Sequence, residues 1–550
     1  MSPLNDRAPD LETLRGIISP QKPFGPWEAE TGQRNPAAAE ALFVTENLLH
    51  IEAAGTAPTI IVGRRGSGKT AFLKSPTTHV GSRSLELKTS QCFAVIERAL
   101  SRWDDHRLAY YLSHVRALWR ASFWHSVFAN IIEQDDDWAL EHSELIQAFE
   151  AIDTYLRDLT GKKKATPMEA FSAFCNALAE ASSEELDLLV YDSDSYAGKS
   201  VSFRTARKAA QRLLSAKGAR VMILLDSMED FARVWDIPDR SMEGLLSVLG
   251  ERSRTDEPFS ARLALPAELY FHVVRMSSNP LKDLNHIQLL HWSAPELVRI
   301  VARRFAMYCE LYDNGLPRRL GFSDWVAGDG IKEEALLRAV LPGTVINQMQ
   351  GVEDSVAYLL RHTQLLPRHL IVLLNRVWTQ HLADDRGRDR ISSHAVRKAV
   401  GDAEKSIVWE ICEGYRPVHP NVEKVCENLI PQCDLRMSWG ELHKKYNSFG
   451  RKHNDGKDYD EGRRMLIEIG ALGREILSEE RYILAEFEYT MPSRLGIADD
   501  QLLCLHPLFA GYFGVRQAQG DAGIGHRAIY PYGCLPEGPD PRLGSAVEER

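Results

Sequence analysis

Three short runs of consecutive apolar residues occur in the first half of the chain, and each predicts a strand covered on both faces. They are TIIVG at 59–63, RVMILLD at 220–226 and RLALP at 262–266. Apolar residues recur at helical spacing between them, most clearly from Val115 to Ile131 and from about Ser202 to Ala216. Strands that alternate with helices predict a parallel α/β sheet.

The second half of the chain has a different pattern. From Trp292 to about Ile411 the apolar spacing is helical almost without interruption. Three further helices are predicted, at 422–430, 438–446 and 462–472. RYILAEFEY at 481–489 then alternates like a half-exposed strand, with Glu486 and Glu488 on its outer face. This order of elements resembles a winged helix.

These patterns divide the chain into segments of ordinary domain size. We expect an N-terminal arm (1–40), an α/β domain (41–290) with a helical insertion at about 91–215, a helical lid (291–411), a winged-helix-like domain (412–515) and a tail (516–550). The tail is dense in Gly and Pro and offers little to bury, so we expect it to be disordered or a surface arm.

Composition narrows the class of protein. With 550 residues the chain needs several cores. A net charge of −10 argues against a chain that coats nucleic acid along its whole surface. Its eight cysteines form no CxxC pair, which favours reduced thiols in a cytosol. The first residues lack a secretory pattern and no run is apolar enough to span a bilayer, so we expect a cytoplasmic protein.

The segment GRRGSGKT at 63–70 fits the pattern G-x-x-x-x-G-K-[ST] between a predicted strand and a predicted helix. Its glycines let main-chain N–H groups curl around phosphates. Lys69 would hold the β and γ phosphates of ATP, and the hydroxyl of Thr70 would bind Mg²⁺. We therefore expect the cofactor-binding residues to be Gly63, Arg64, Arg65, Gly66, Ser67, Gly68, Lys69 and Thr70.

A metal-binding carboxylate is expected at the end of a neighbouring buried strand, and VMILLDSMED provides Asp226 there. Thr70 and Asp226 are the predicted magnesium ligands. The candidates for the acid that orients the attacking water are Glu229 and Asp230. For Glu229, a role in a surface turn is equally open.

The order of these parts resembles the AAA+ and STAND NTPases, including the origin-recognition type and bacterial ATPases of antiphage and signalling systems. Many AAA+ ATPases place a Glu directly after the metal-binding Asp, whereas this chain has Ser227. The resemblance therefore implies a displaced or weak catalytic base, which leaves slow turnover open. HWSAPELVRIVARRF at 291–305 is similar to the segment that opens the lid in such proteins. LLPRHLIVLLNRVW at 365–378 looks like the sensor 2 helix, which implies that Arg368 reaches the γ phosphate. A surface or interdomain salt bridge of Arg368 is the alternative.

A group of cations lies near the third helix of the winged-helix-like domain. Its members are Lys444, Lys445, Arg451, Lys452, Lys457, Arg463 and Arg464. Five acids interleave with them, namely Glu441, Asp455, Asp458, Asp460 and Glu461. Two interpretations stay open, contact with DNA or RNA and docking of protein.

Together these features predict an ATP-binding and ATP-hydrolysing switch or motor that couples nucleotide state to movement of the lid and winged helix. One alternative is a weakly hydrolysing scaffold or sensor in a bacterial defence or signalling complex. Another is an ATPase that binds or remodels DNA. The expected partners are ATP and a protein partner or further copies of the chain.

Overall fold

A computed structural model of the chain describes most of its residues. The described ranges are 14–15, 17–27, 42, 59–74, 82–104, 111–135, 138, 141–181, 200–226, 228, 238–251, 257–284, 286–347, 351–384, 387–479, 482–490, 494–515 and 527–534. Contacts divide the chain into two compact units. The first comprises Thr45–Gly63 and Lys69–Leu289, and the second comprises Met1–Val44, Arg64–Gly68 and Leu290–Arg550.

The first unit contains a five-stranded sheet. Its strands are β1 (Ile60–Gly63), β2 (Ser82–Lys88), β3 (Arg220–Asp226), β4 (Phe259–Pro266) and β5 (Ile287–Leu289). They lie in the order β2-β3-β4-β1-β5 and every pair is parallel. The predicted α/β fold class is confirmed, and the three apolar runs form β1, β3 and β4.

Helices follow or separate the strands of this sheet along the chain. They are α1 (Lys69–Lys74), α2 (Thr89–Asp104), α3 (Leu112–Gln134), α4 (Ile146–Thr160), α5 (Pro167–Glu180), α6 (Phe203–Lys217), α7 (Asp239–Gly250), α8 (Ala267–Met276) and α9 (Pro280–Asp283). α2 to α6 separate β2 from β3, where a helical insertion was predicted. The apolar stripe from Val115 to Ile131 lies in α3, and its members are buried.

The second unit begins with helices and a short hairpin. The elements are α10 (Ala294–Tyr312), α11 (Leu316–Arg319), α12 (Gly330–Val340), β6 (Thr344–Ile346), β7 (Val352–Asp354), α13 (Ser355–Arg361), α14 (Pro367–Asp384) and α15 (Ser393–Tyr415). Residues 17–27 of the N-terminal arm pack on these helices, since Phe24 stacks on Phe305 and Trp378 donates to the carbonyl oxygen of Pro20.

The C-terminal part of this unit mixes short helices and strands. They are α16 (Val422–Leu429), β8 (Arg436–Met437), α17 (Trp439–Lys445), α18 (Tyr459–Glu468), β9 (Leu472–Ser478), β10 (Tyr482–Glu486), β11 (Leu503–Leu505), α19 (Pro507–Tyr512) and β12 (Ala528–Pro531). The strand order is β12-β10-β9-β11-β8. We call residues 422–534 the C-terminal module; its kinship with winged helices stays a prediction.

Two expectations about the C-terminal module differ from the structure. Disorder of the tail does not hold for β12, which pairs with β10 in parallel and is buried. The outer face of the predicted 481–489 strand is not freely exposed either, because Glu486 is buried against Arg474 at 2.7 Å. In both cases distant partners supply the burial that the local sequence does not reveal. Residues 516–526 and 535–550 of the tail lie outside the described ranges.

Within the described ranges, no helix combines the length and the apolar character needed to cross a bilayer.

Candidate phosphate-binding site

The loop between β1 and α1 has the backbone conformation that its glycines permit. Gly66 and Gly68 have φ angles of 84° and 94°, in a region that other residues adopt at a cost. The amide of Ser67 donates to the carbonyl oxygen of Arg64 at 3.0 Å. A Cβ atom on Gly66 would lie 2.9 Å from Cβ of Arg368. Gly66 is therefore needed for its backbone angle and for this close approach.

Lys69 and Thr70 are the first two residues of α1. The side chain of Lys69 is buried and Thr70 is half-buried. Because α1 begins directly after the loop, an ammonium and a hydroxyl group originate beside the carboxyl end of β1, where the sequence predicted them.

Asp226 is the last residue of β3 and is buried. β1 and β3 belong to the same parallel sheet with only β4 between them, a separation of about 10 Å between strand axes. The hydroxyl of Thr89 donates to the carbonyl oxygen of Asp226 and fixes the end of the strand. Asp226 and the start of α1 at Lys69 thus lie at the carboxyl edge of the same sheet, as a site for phosphate and metal requires.

The residues present fit Mg²⁺. A hydroxyl at Thr70 and a carboxylate at Asp226 are oxygen ligands of the kind that Mg²⁺ prefers. The described part of the chain contains no cluster of three or more His, Cys, Asp or Glu that could hold a metal. A magnesium ion here would therefore take most of its ligands from phosphate and water.

Ser67 has an unsatisfied hydroxyl. Its side chain is fully buried, and Oγ has no hydrogen-bond partner among the described residues. The carbonyl oxygen of Ser67 accepts a hydrogen bond from Nε1 of Trp292 at 2.8 Å. Since buried hydroxyl groups are normally paired, Ser67 fits a loop whose ligand provides an acceptor.

Arg368 lies against the loop, at the start of α14. Its amide is 3.4 Å from the carbonyl oxygen of Gly66. Its Nη1 atom forms an ion pair with Glu410, while Nε is buried without a partner among the described residues. Arg368 therefore does form an ion pair, but its partner Glu410 lies within the predicted lid (291–411) and the pair is not an interdomain one. A contact with the γ phosphate stays a prediction.

Arg64 and Arg65 differ although they are neighbours. Arg65 is exposed, whereas Arg64 is buried and donates to Oε1 of Gln364 at 3.1 Å and to the carbonyl oxygen of Glu468 at 2.8 Å. The Arg64 side chain is thus used to contact the lid and the C-terminal module, so a part in cofactor binding would fall to its main chain.

The two candidate water-orienting acids, Glu229 and Asp230, lie outside the described ranges, as does Ser227. Their roles stay predictions.

Some cations of the predicted patch are exposed, and others contact acidic or aromatic side chains. Lys444, Arg451, Lys452 and Arg464 are exposed. Lys445 pairs with Asp434 at 2.6 Å, and Arg463 lies over the ring of Trp439 at 4.9 Å and near acidic side chains.

A glycine loop of this shape, placed between a strand and a helix of a five-stranded parallel sheet with an acid at the same edge, decides the fold. The fold is that of a P-loop NTPase. The chain matches no protein-family model and no curated protein.

Among solved structures, the chain is similar to the ORC2 protein of Aeropyrum pernix. Its ADPNP–ADP complexes show 13% identity and a TM-score of 0.36, covering 84% of this chain and 91% of that chain. Its ADP form shows 14% identity and a TM-score of 0.27, covering 86% and 89%. What identifies the P-loop NTPase fold is this chain's own sheet and loop.

The sequence alone does not assign Thr89 and Trp292 to the site, although they donate to the carbonyl oxygens of Asp226 and Ser67. Thr89 follows β2, a strand whose edge position leaves only Leu85 and Leu87 buried. Trp292 lies next to a capping box formed by Ser293 and Glu296, which marks the start of a helix but does not show that the indole reaches the loop.

Proposed function

We propose that this P-loop NTPase binds ATP with Mg²⁺ at Gly63–Thr70 and Asp226, and acts as a nucleotide-dependent switch of the AAA+/STAND type. The observation that carries the proposal is the loop ahead of Lys69. Gly66 and Gly68 have positive φ angles there, and the buried hydroxyl of Ser67 has no hydrogen-bond partner among the described residues. Lys69 would neutralise phosphate oxygens, and Thr70 and Asp226 would hold the metal. The ion would add charge neutralisation when bound.

The switch part of the proposal rests on what contacts the loop. Trp292 and Arg368 bond the carbonyl oxygens of Ser67 and Gly66, and both residues come from the predicted lid. A ligand that changes the loop would disturb these bonds. Loop occupancy and lid position are therefore expected to depend on each other.

Hydrolysis would lack one usual catalytic group, because Ser227 stands where a water-orienting Glu is found in many AAA+ ATPases. This observation favours a second candidate, a weakly hydrolysing scaffold or sensor that assembles partners. Turnover measured alone and with DNA, RNA or a partner separates the two. Sustained basal cycling supports the switch or motor, and stoichiometric binding with negligible turnover supports the scaffold.

The exposed cations Lys444, Arg451, Lys452 and Arg464 support a third candidate, contact with nucleic acid. Asp455, Asp460 and Glu461 are exposed in the same segment and oppose it. Binding that weakens steeply with salt and is reduced by Arg451→Ala would support this candidate. Salt-independent or absent binding would exclude it.

The deciding experiment is calorimetry with a non-hydrolysable ATP analogue and Mg²⁺. Lys69→Ala is expected to lower the affinity by about 100-fold or more, since it removes the cation at the phosphates. Lys74→Ala is the matched control, because Lys74 lies on the same helix and pairs with Glu86 at 2.8 Å. Unchanged affinity in Lys69→Ala, or equal losses in both variants, would contradict the site assignment.

A further inference from the structure

The C-terminal end of α18 has an unusual source of hydrogen-bond donors. A helix ends with carbonyl oxygens that lack partners within the helix. Here Gly470, with φ of 74°, donates to Ile467 at 2.9 Å, and Ala471 donates to Leu466 at 3.0 Å. This is the Schellman arrangement, which satisfies two of these carbonyl groups.

The next two carbonyl groups, of Glu468 and Ile469, are satisfied by side chains from elsewhere in the chain. Nη2 of Arg64 donates to the carbonyl oxygen of Glu468 at 2.8 Å. Nε2 of Gln364 donates to that of Ile469 at 2.7 Å, and Oε1 of the same amide accepts from Nη1 of Arg64 at 3.1 Å. One residue of the phosphate loop and one residue of the lid together complete the cap.

The surroundings of Arg64 hold its guanidinium in place. Arg64 is 9% exposed, and its Cζ atom lies over the rings of Tyr415 and Tyr489, at 5.5 Å and 5.6 Å from their centroids. A positive charge is favourable at a helix C-terminus, and the aromatic faces add to that attraction. The planar guanidinium group of arginine suits this position because Nη1 and Nη2 donate to different acceptors, whereas the ammonium group of a lysine is a single point charge.

We propose that Arg64 is a positioning residue that couples the phosphate loop to the C-terminal module by capping α18. The ligand in this coupling rests on the proposed function. A nucleotide that rearranges the loop moves Arg64, and the end of α18 then loses or gains its cap. By reciprocity, displacement of the C-terminal module changes the loop and hence the affinity for nucleotide.

Hydrogen exchange of the 466–471 amides in the full chain, with and without a non-hydrolysable ATP analogue and Mg²⁺, tests the coupling. In the parent chain the analogue is expected to change exchange in this segment. Arg64→Ala is expected to raise exchange about tenfold without nucleotide and to abolish the response to nucleotide. Arg64→Lys retains the charge, and its amide exchange and nucleotide response are expected to lie between those of the parent chain and those of Arg64→Ala.

Arg494→Ala is the matched control, because Arg494 is an exposed arginine whose Nη2 atom pairs with the Glu468 carboxylate at 3.3 Å. It should leave both exchange and the nucleotide response unchanged. Parent-like exchange and response in Arg64→Ala and Arg64→Lys would overturn the coupling while leaving calorimetric ATP binding intact. A parent chain that binds no ATP analogue would instead overturn the proposed function and the nucleotide part of the coupling, and the nucleotide-free exchange would still decide whether Arg64 caps α18.

Discussion

The two five-stranded sheets of this protein are stabilised in different ways. In the first sheet, β1, β3 and β4 are buried almost throughout, and their buried charged residues are Arg262 and Asp226. The unit that holds the C-terminal sheet instead contains several buried ionisable groups, including Glu353, Arg361 and Glu404. Apolar burial is insensitive to pH, whereas buried ionisable groups make stability depend on partners and on protonation.

Glu353 shows how the C-terminal sheet depends on polar partners. Its carboxylate accepts from Nε and Nη2 of Arg361 at 2.7 Å and 2.8 Å, from Nδ2 of Asn347 at 2.6 Å and from the hydroxyl of Tyr530 at 2.5 Å. Tyr530 belongs to β12, so one buried acid connects the final strand to β7 and α13.

Removing this acid should give the largest stability loss. Glu353→Ala leaves the buried Arg361 without its carboxylate, which is expected to cost about 3–5 kcal/mol in the free energy of unfolding. Tyr530→Phe removes one donor and should cost about 1 kcal/mol. Urea unfolding, followed by hydrogen exchange of β12, measures both.

Asp389→Ala is the control for Glu353→Ala, because Asp389 pairs with Arg319 at 2.8 Å on the surface of the same unit. Its expected cost is below about 1 kcal/mol. Similar losses for Asp389→Ala and Glu353→Ala would contradict the view that buried charge distinguishes the C-terminal sheet.

The pH dependence of the same unit should be the next largest effect. Burial raises the pKa of Glu404 from 4.5 to about 8, with Arg361 acting in the opposite direction. The raised pKa means that stability from the protonated folded form is complete below about pH 4.5 and is lost as pH rises to about 8, at up to about 1.4 kcal/mol per pH unit. Nδ1 of His362 lies 2.7 Å from Oε1 of Glu404, and burial lowers the pKa of this imidazole. The lowered pKa of His362 makes the free energy of unfolding fall towards acid pH.

Glu404→Gln isolates the carboxyl group, because His362 is present in both chains. The variant should approach the parent in stability near pH 5 and become the more stable chain towards pH 8. Thermal unfolding across this pH range measures the difference. Leu263→Ala, in the middle of β4, should lower stability by about 2–5 kcal/mol with little change across pH. A pH-independent difference between Glu404→Gln and the parent would remove this distinction between the sheets.

The same distinction explains which parts could be predicted from the sequence. β1, β3 and β4 could be predicted because strands buried on both faces are apolar in consecutive residues, and the loop could be predicted because Gly63–Thr70 is a local pattern. β12 could not, since Tyr530 meets Glu353 across 177 positions. The partners of Arg64 lie 300 and 404 positions away. Contacts of that range leave no periodicity at either end.

The smallest effects test whether close packing, rather than charge, distinguishes the two regions. A Cβ atom on Gly244 would lie 2.5 Å from Cγ1 of Val115, and one on Gly462 would lie 2.1 Å from Cε2 of Tyr446. Replacing either glycine with Ala should therefore cost about 1–3 kcal/mol, because both neighbours are buried. Gly401→Ala is the control, since a Cβ there meets nothing within 4 Å, and it should stabilise α15 by about 0.5–1 kcal/mol. Thermal unfolding measures all three variants. Equal losses for Gly244→Ala and Gly462→Ala would leave buried charge as the difference between the regions, whereas a loss confined to one region would make packing the distinguishing property.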